Sequence, residues 1–317
     1  MLSRTADHLY WMARYTERAE NLARMLDVTQ RMSLLHGGQV DEAGWTAALA
    51  IAGCEPGYRK THDKVTPGGV LRYLTFDTEN AASIMRCLKA ARENAHAVRG
   101  TLTSELWETI NDTWIRVRES SPAIVEGNGA GEFFEWVKYR SHLSRGVTIG
   151  TMLQDEALWF TRLGTYLERG DSTARILDVK FQALLPEGSN AGDEADNAGD
   201  YYQWSTLLRS VSAFEIYRKV YRDRITPRRV AELFILRADM PRSLHHCLAE
   251  VHDLLDRVAN RQSAETGRRA GLLHSTLQYG RIEDIFAGGL HPFLLDFLAR
   301  AADLSERIAN DFLVPKH

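Results

Sequence analysis

One segment of this 317-residue chain occurs twice, and this internal repeat constrains the fold more than any other feature of the sequence. Residues 15–28 (YTERAENLARMLDV) align with residues 166–179 (YLERGDSTARILDV), and 8 of the 14 aligned positions are identical. Ordinary residue usage would give about one identity in such a window. A repeat of this quality predicts two copies of one structural unit.

Further matches follow in the same order along the chain. They are Trp45 with Trp204, residues 58–60 with 217–219, and Ser83, Cys87 and Leu88 with Ser243, Cys247 and Leu248. The offset between the copies rises from 151 to 159 and then 160, so the second copy holds about eight more residues. The sequence therefore predicts two halves, 1–152 and 153–317, which pack around a pseudo-two-fold axis as one compact unit.

Apolar residues recur at the spacing of an α-helix through most of the chain. Two clear stripes are Ile84, Leu88, Ala91, Ala95, Val98 and Leu102, and Leu244, Leu248, Val251, Leu255 and Val258. The sequence has no sustained alternating runs of Val, Ile and Thr, and no Asn-Gly or Asp-Gly hairpin signal between strands. The first helix is predicted from about Ser3 to about Leu35. The predicted fold class is all-α, an internally duplicated helical bundle.

Residues 186–200 (PEGSNAGDEADNAGD) interrupt the helical pattern with five acids and no base. Small, polar and acidic residues of this kind cannot bury enough apolar surface to order themselves. The segment is predicted to be a flexible surface linker, and it lies where the second copy needs its extra residues.

Composition excludes several classes of protein. The chain has 39 Lys and Arg against 42 Asp and Glu, a net charge of −3, so no basic field favours nucleic acid or a membrane surface. No apolar run is long enough to cross a bilayer. Three scattered cysteines make neither a disulfide framework nor a zinc cage. The first residues resemble no signal peptide, and a cytoplasmic location is expected.

The repeated Glu-Arg pair supplies the candidate site. On a helix that turns 100° per residue, Glu17 and Glu168 lie away from the main apolar arc of their segments. The candidate ligand-binding or motif residues are Glu17, Arg18, Asn21, Arg24, Glu168, Arg169, Asp171 and Arg175. Two interpretations remain open. The polar residues either tie neighbouring helices together, or they form sites in which arginines bind a carboxylate or phosphate and glutamates act as bases.

No metal or cofactor is predicted for this site. A di-metal carboxylate bundle needs a Glu-x-x-His motif on facing helices, and none occurs at the repeat positions. The sequence also lacks a phosphate-binding loop and any recognisable triad context, so catalytic residues are left unassigned.

Residues 2–7 with 14–21, residues 159–169, and the segments Phe76-Asp77 and 91–95 resemble the alpha-E family of bacterial helical proteins, which is named for a Glu-Arg motif. The resemblance spans nearly the whole chain. It implies an all-helical protein that is encoded beside a circularly permuted ATP-grasp ligase and a transglutaminase-like protein. These components would form a system that makes or modifies a peptide or amide bond.

Three functions follow as hypotheses. The first is an accessory or binding subunit that acts with the ATP-grasp amide ligase. The second is an enzyme that uses the Glu-Arg sites for acid–base or transfer chemistry on an amino-acid-like substrate. The third is a purely structural scaffold. Neither nucleic acid nor a membrane is expected as a partner, and association into a homo-oligomer is left open.

Overall fold

The computed structural model describes residues 1–35, 42–125, 127, 129–184 and 198–313. Fifteen α-helices and one 3₁₀ helix account for most of these residues, and none of them forms a β-strand. The prediction of an all-α fold is therefore confirmed. The chain divides into two compact units, one from Met1 to Glu168 and the other from Arg169 onward.

The first unit contains seven complete α-helices, the 3₁₀ helix and the first part of α8. They are α1 (Ser3–Leu35), α2 (Glu42–Ile51), α3 (Glu55–Arg59), α4 (Pro67–Thr75), α5 (Ile84–Ala97), α6 (Ser104–Glu119), the 3₁₀ helix (Pro122–Val125), α7 (Ala130–Thr151) and α8 (Glu156–Leu184). Helix α1 packs against α5 and α7, and α6 packs against the same two helices, which closes a ring of four. The predicted first helix is confirmed at both ends.

The second unit contains the rest of α8 and seven further helices. They are α9 (Ala198–Ser210), α10 (Phe214–Tyr221), α11 (Pro227–Ile235), α12 (Leu244–Arg257), α13 (Ala264–Gln278), α14 (Ile282–Gly288) and α15 (Leu290–Phe312). Within this unit, α12 packs against α13, and α13 packs against α15.

The helices of the second unit follow the order and approximate lengths of those in the first. Both α5 and α12 have 14 residues, and both α4 and α11 have nine. The ends match as well, because Ser83 and Ser243 cap α5 and α12 by accepting a hydrogen bond from the backbone N–H three residues on. These correspondences support the duplication, which stays a prediction from the sequence. The observed division falls inside α8, whereas the predicted boundary at 152/153 precedes that helix.

The predicted linker needs one correction. Residues 185–197 lie outside the described part of the chain, but α9 already begins at Ala198, so 198–200 are helical rather than linker. Helix formation there follows from the apolar and aromatic residues that come next, since α9 buries Trp204, Leu207 and Leu208.

No single helix among the described residues is both long and apolar enough to cross a membrane. Helices α14 and α15 reach that length and hydropathy only when taken together, and they are bent by 100° at the break between them.

Candidate functional site

The glutamate of the second Glu-Arg pair is held by two arginines of α1. Glu168 Oε1 accepts a hydrogen bond from Arg18 Nε at 2.5 Å, and Oε2 accepts from Arg18 Nη2 at 2.9 Å and from Arg14 Nε at 2.8 Å. Arg18 therefore forms a bidentate pair with the carboxylate through Nε and Nη2. This is a strong geometry for an arginine–carboxylate pair. Only 4% of the Glu168 surface is exposed. The arginine of one motif copy thus neutralises the glutamate of the other.

The charges of Arg14 and Arg18 determine the protonation state of the Glu168 carboxyl group. Burial alone would raise the pKa of Glu168, but the adjacent Arg14 and Arg18 outweigh it and hold the pKa below the ordinary value of 4.5. Burial would likewise lower the pKa of Arg18, and the Glu168 carboxylate reverses this and raises it. Glu168 is therefore ionised at neutral pH and fully engaged as an acceptor.

Cys87 lies close enough to Arg18 and Glu168 for their charges to affect the pKa of its thiol. Burial raises the pKa of its thiol to about 12, so the reactive thiolate is scarce at neutral pH. Cys87 and Cys247 are both fully buried. The two repeated cysteines are therefore small core residues.

The glutamate of the first pair faces α7. Arg145 Nη1 donates to Glu17 Oε2 at 2.9 Å and also to Glu20 Oε2. Ser141 Oγ donates to the same Glu20 oxygen at 2.7 Å. Only 1% of Glu17 is exposed. Glu17 does lie away from the apolar arc, as its helical position requires, but polar residues of α7 cover it instead of solvent.

This polar contact continues along both helices. Arg24 Nε donates to Glu20 Oε1 at 2.8 Å, and Lys138 Nζ donates to Asp27 Oδ2 at 2.9 Å. We call this row of side chains the α1–α7 seam; it consists of Glu17, Glu20, Arg24 and Asp27 on α1 and Lys138, Ser141, His142 and Arg145 on α7.

His142 lies at the centre of the seam between two arginines. Arg24 Nη2 is 3.0 Å from its Nε2, and Arg145 Nη2 is 2.7 Å from its Nδ1. A neutral imidazole has a single acceptor nitrogen, so it accepts from one arginine at a time. The tautomer of His142 decides which arginine that is.

The second motif copy has different surroundings. Arg169 is buried, and its Nη1 lies 3.5 Å from the carbonyl oxygen of Pro241 in the same unit. Arg175 Nε donates to Asp171 Oδ2 at 2.7 Å, and both side chains are partly exposed. Both motif copies therefore contain an i,i+4 acid–base pair, but the Glu20–Arg24 pair is buried and the Asp171–Arg175 pair is at the surface. Asn21 is buried as well.

Sequence reasoning missed the partners of the motif. Arg14 precedes the repeated segment, and the α7 residues are far from it along the chain. A signal was present, because Lys138, Ser141, His142 and Arg145 recur at spacings of three and four and so share one face of α7. Read together with the acids of α1, that polar stripe would have indicated the partner helix.

The described residues offer few means for catalysis at this position. Both oxygens of Glu168 are engaged with guanidinium groups, and its lowered pKa disfavours proton transfer near neutral pH. No group of three or more His, Cys, Asp or Glu side chains among the described residues is arranged to hold a metal ion. The arrangement is that of an interhelical ion-pair lock.

Sequence comparison with known proteins shows the family of this chain. Three curated relatives, an uncharacterized protein of Mycobacterium bovis and one from each of two strains of Mycobacterium tuberculosis, are each 26% identical over 319 residues, which covers 93% of this chain and 35% of the relative. The chain therefore spans about a third of the length of these relatives. No solved structure matches it. Residues 1–313 match the Alpha-E family, described as a predicted alpha-helical domain with a conserved ER motif, and the chain belongs to that family.

Proposed function

We propose that this chain is a helical binding module without its own catalytic centre, which acts as an accessory subunit of an ATP-grasp-type amide ligase. Its Glu-Arg motif holds the fold together. The observation that carries this proposal is the pairing of Glu168 with Arg14 and Arg18, in which a motif glutamate is ionised, buried and fully engaged.

The chemistry of the lock supports a structural role for the motif. A general base must accept a proton during turnover, and it does so best when its pKa lies near the working pH. The two arginines lower the pKa of Glu168 and so move it away from that condition. A bidentate Arg18 that already binds an internal carboxylate is also a poor receptor for a second one. Ligand recognition is then expected elsewhere on the molecule.

The length of the relatives supports a partner. In the mycobacterial proteins the matching segment is 35% of the chain, so additional polypeptide accompanies it there. A module that occurs joined to other sequence is suited to work beside another protein component. The ATP-grasp ligase, with a transglutaminase-like protein as a second component, is the partner that the family resemblance implies for amide-bond synthesis or modification.

The test is reconstitution with the ATP-grasp ligase encoded in the neighbourhood. The affinity-tagged chain should retain the ligase on a column and raise the rate of ATP-dependent amide formation, while the chain alone should form no amide. Failure of both retention and stimulation would refute the proposal.

Variants separate a lock from an active site. Glu168→Gln and Arg18→Gln should retain ligase stimulation at temperatures where circular dichroism shows them folded. The matched control is Asp171→Asn, which alters the partly exposed acid of the same motif copy. The opposite result is a folded Glu168→Gln protein that no longer supports amide formation, while the Asp171→Asn protein still does. That result would assign Glu168 to catalysis.

A further inference from the structure

A cavity of about 580 Å³ lies in the first unit at the start of α4, outside the motif. This volume is in the range of small-molecule sites. Its wall includes Gln30, Trp45, His62, Gly68, Leu71 and Arg72.

The start of α4 presents backbone donors to this cavity. Thr66 caps the helix by accepting a hydrogen bond from the backbone N–H of Gly69 at 3.2 Å, and Pro67 follows it without an N–H. Gly68 stands at the second helical position, where the N–H has no carbonyl available within the helix. The helix dipole adds partial positive charge at this end. An anion is the natural ligand of such a position.

The indole of Trp45 gives an independent indication. Trp45 is 1% exposed and forms part of the cavity wall, and its buried Nε1 has no hydrogen-bond partner among the described residues. A buried donor without an acceptor carries a desolvation cost. The indole N–H can only donate, so the group that satisfies it must be an acceptor.

The charge of the wall agrees with these donors. Arg72 follows Gly68 by four residues and therefore lies on the same side of α4, and His62 adds an imidazole stacked on Tyr58. None of the described residues that line the cavity is Asp or Glu. Leu71 and Val125 supply apolar surface beside the polar groups.

The second unit shows that the glycine is not needed for the fold. Thr226 and Pro227 open α11 with the same cap, but Arg228 and Arg229 stand where the first unit has Gly68 and Gly69. These arginines have their own acidic partners, Glu283 and Asp223. A Cβ atom added at Gly68 would meet nothing within 4 Å. The first unit thus leaves open a position that the second unit fills with side chains.

We propose that this cavity binds a small organic anion through a carboxylate or phosphate group. The anionic oxygens accept hydrogen bonds from the Gly68 N–H and Trp45 Nε1, Arg72 adds positive charge to the wall beside the partner that it already has, and Leu71 contacts the apolar part of the ligand. Ligand binding in this cavity is a property of the isolated chain, and its test does not depend on the ligase partnership.

The test is a titration followed by ¹⁵N NMR, with inorganic phosphate and N-acetylglycine as separate probes. The indole N–H signal of Trp45, identified by its loss in Trp45→Phe, should move downfield together with the Gly68 amide as the probe saturates. A shift with phosphate alone assigns a phosphate ligand, and a shift with N-acetylglycine alone assigns a carboxylate. No movement of either signal with either probe overturns the proposal.

Matched variants place the site. Gly68→Glu puts a carboxylate into the open position and should weaken binding at least about tenfold, or about 1.4 kcal/mol. Gly131→Glu is the control, because Gly131 is also the second residue of a helix with open space around its Cβ. Arg72→Gln should weaken binding without adding a side chain at the glycine. Unchanged affinity in both Gly68→Glu and Arg72→Gln would contradict the assignment.

Discussion

Two acids at equivalent positions of a repeat are buried by different partners. Glu17 is covered by Arg145, 128 residues away along the chain, and Glu168 by Arg18, 150 residues away. Helical spacing predicted which side of its helix each glutamate occupies. It could not predict burial, because burial depends on a polar face of another helix. Sequence therefore supplied the candidate residues, and only the fold supplied their pairing.

At the residue scale, Glu168→Gln should lower the free energy of unfolding by about 3 kcal/mol, because it leaves two arginines beside an uncharged amide in a buried position. Asp171→Asn should change it by less than about 0.5 kcal/mol, because its pair with Arg175 is at the surface. Urea denaturation of both variants provides the measurement. Equal losses in the two proteins would show that burial of the Glu168 pair does not matter.

At the scale of elements, the sequence predicted α1 well and the segment before α9 less well. The helical pattern from Ser3 to Leu35 is long and contains no Pro or Gly, so the sequence predicts both ends of α1. The sequence predicts that residues 198–200 belong to the linker, because they continue its small and acidic composition. Composition describes a segment as a whole, whereas a helix can begin as soon as a following apolar face anchors it.

Close packing at one glycine of α8 makes an element-scale prediction. A Cβ on Gly164 would lie 2.3 Å from the backbone oxygen of Tyr10 in α1. Gly164→Ala should therefore force the backbones apart and cost about 2 kcal/mol of unfolding free energy.

Gly170 in the same helix provides the matched control. A Cβ there would make an ordinary contact of 3.4 Å with Cys247, and Ala favours helix, so Gly170→Ala should stabilise by up to about 1 kcal/mol. Thermal unfolding of the two variants should move in opposite directions. A destabilised Gly170→Ala beside an unaffected Gly164→Ala would contradict this description of the packing.

At the scale of the whole molecule, the sequence predicted an all-helical fold and membership of the Alpha-E family, and both are confirmed. The duplication into two halves is still a prediction, and the parallel order of helices in the two units supports it. A tie between helices was one of two open interpretations of the motif, but α7 was not predicted as the partner helix, because polar residues on a helix are ordinarily read as solvent-exposed. The cavity beside α4 was missed for a related reason, since it depends on open space and on the partners of Trp45.

Acid unfolding makes the molecule-scale prediction. The unfolded chain protonates Glu168 at a higher pH than the folded chain does, because folding lowers this pKa below 4.5. The stability that Glu168 contributes is therefore present above pH 4.5 and is lost as the pH falls through the folded-state pKa. The stability difference between the wild-type protein and Glu168→Gln should be constant near neutral pH and shrink in acid. A difference that does not change with pH would contradict this linkage.

The most direct test of the interhelical lock is the titration of the Glu168 side-chain carboxyl carbon by ¹³C NMR, with the signal assigned by its absence in Glu168→Gln. The Arg14 and Arg18 pairing predicts that this carboxyl stays ionised throughout the neutral range and titrates below its ordinary value of 4.5. A midpoint near neutral pH would contradict the account, because it would make Glu168 a proton-transfer group rather than a structural anion.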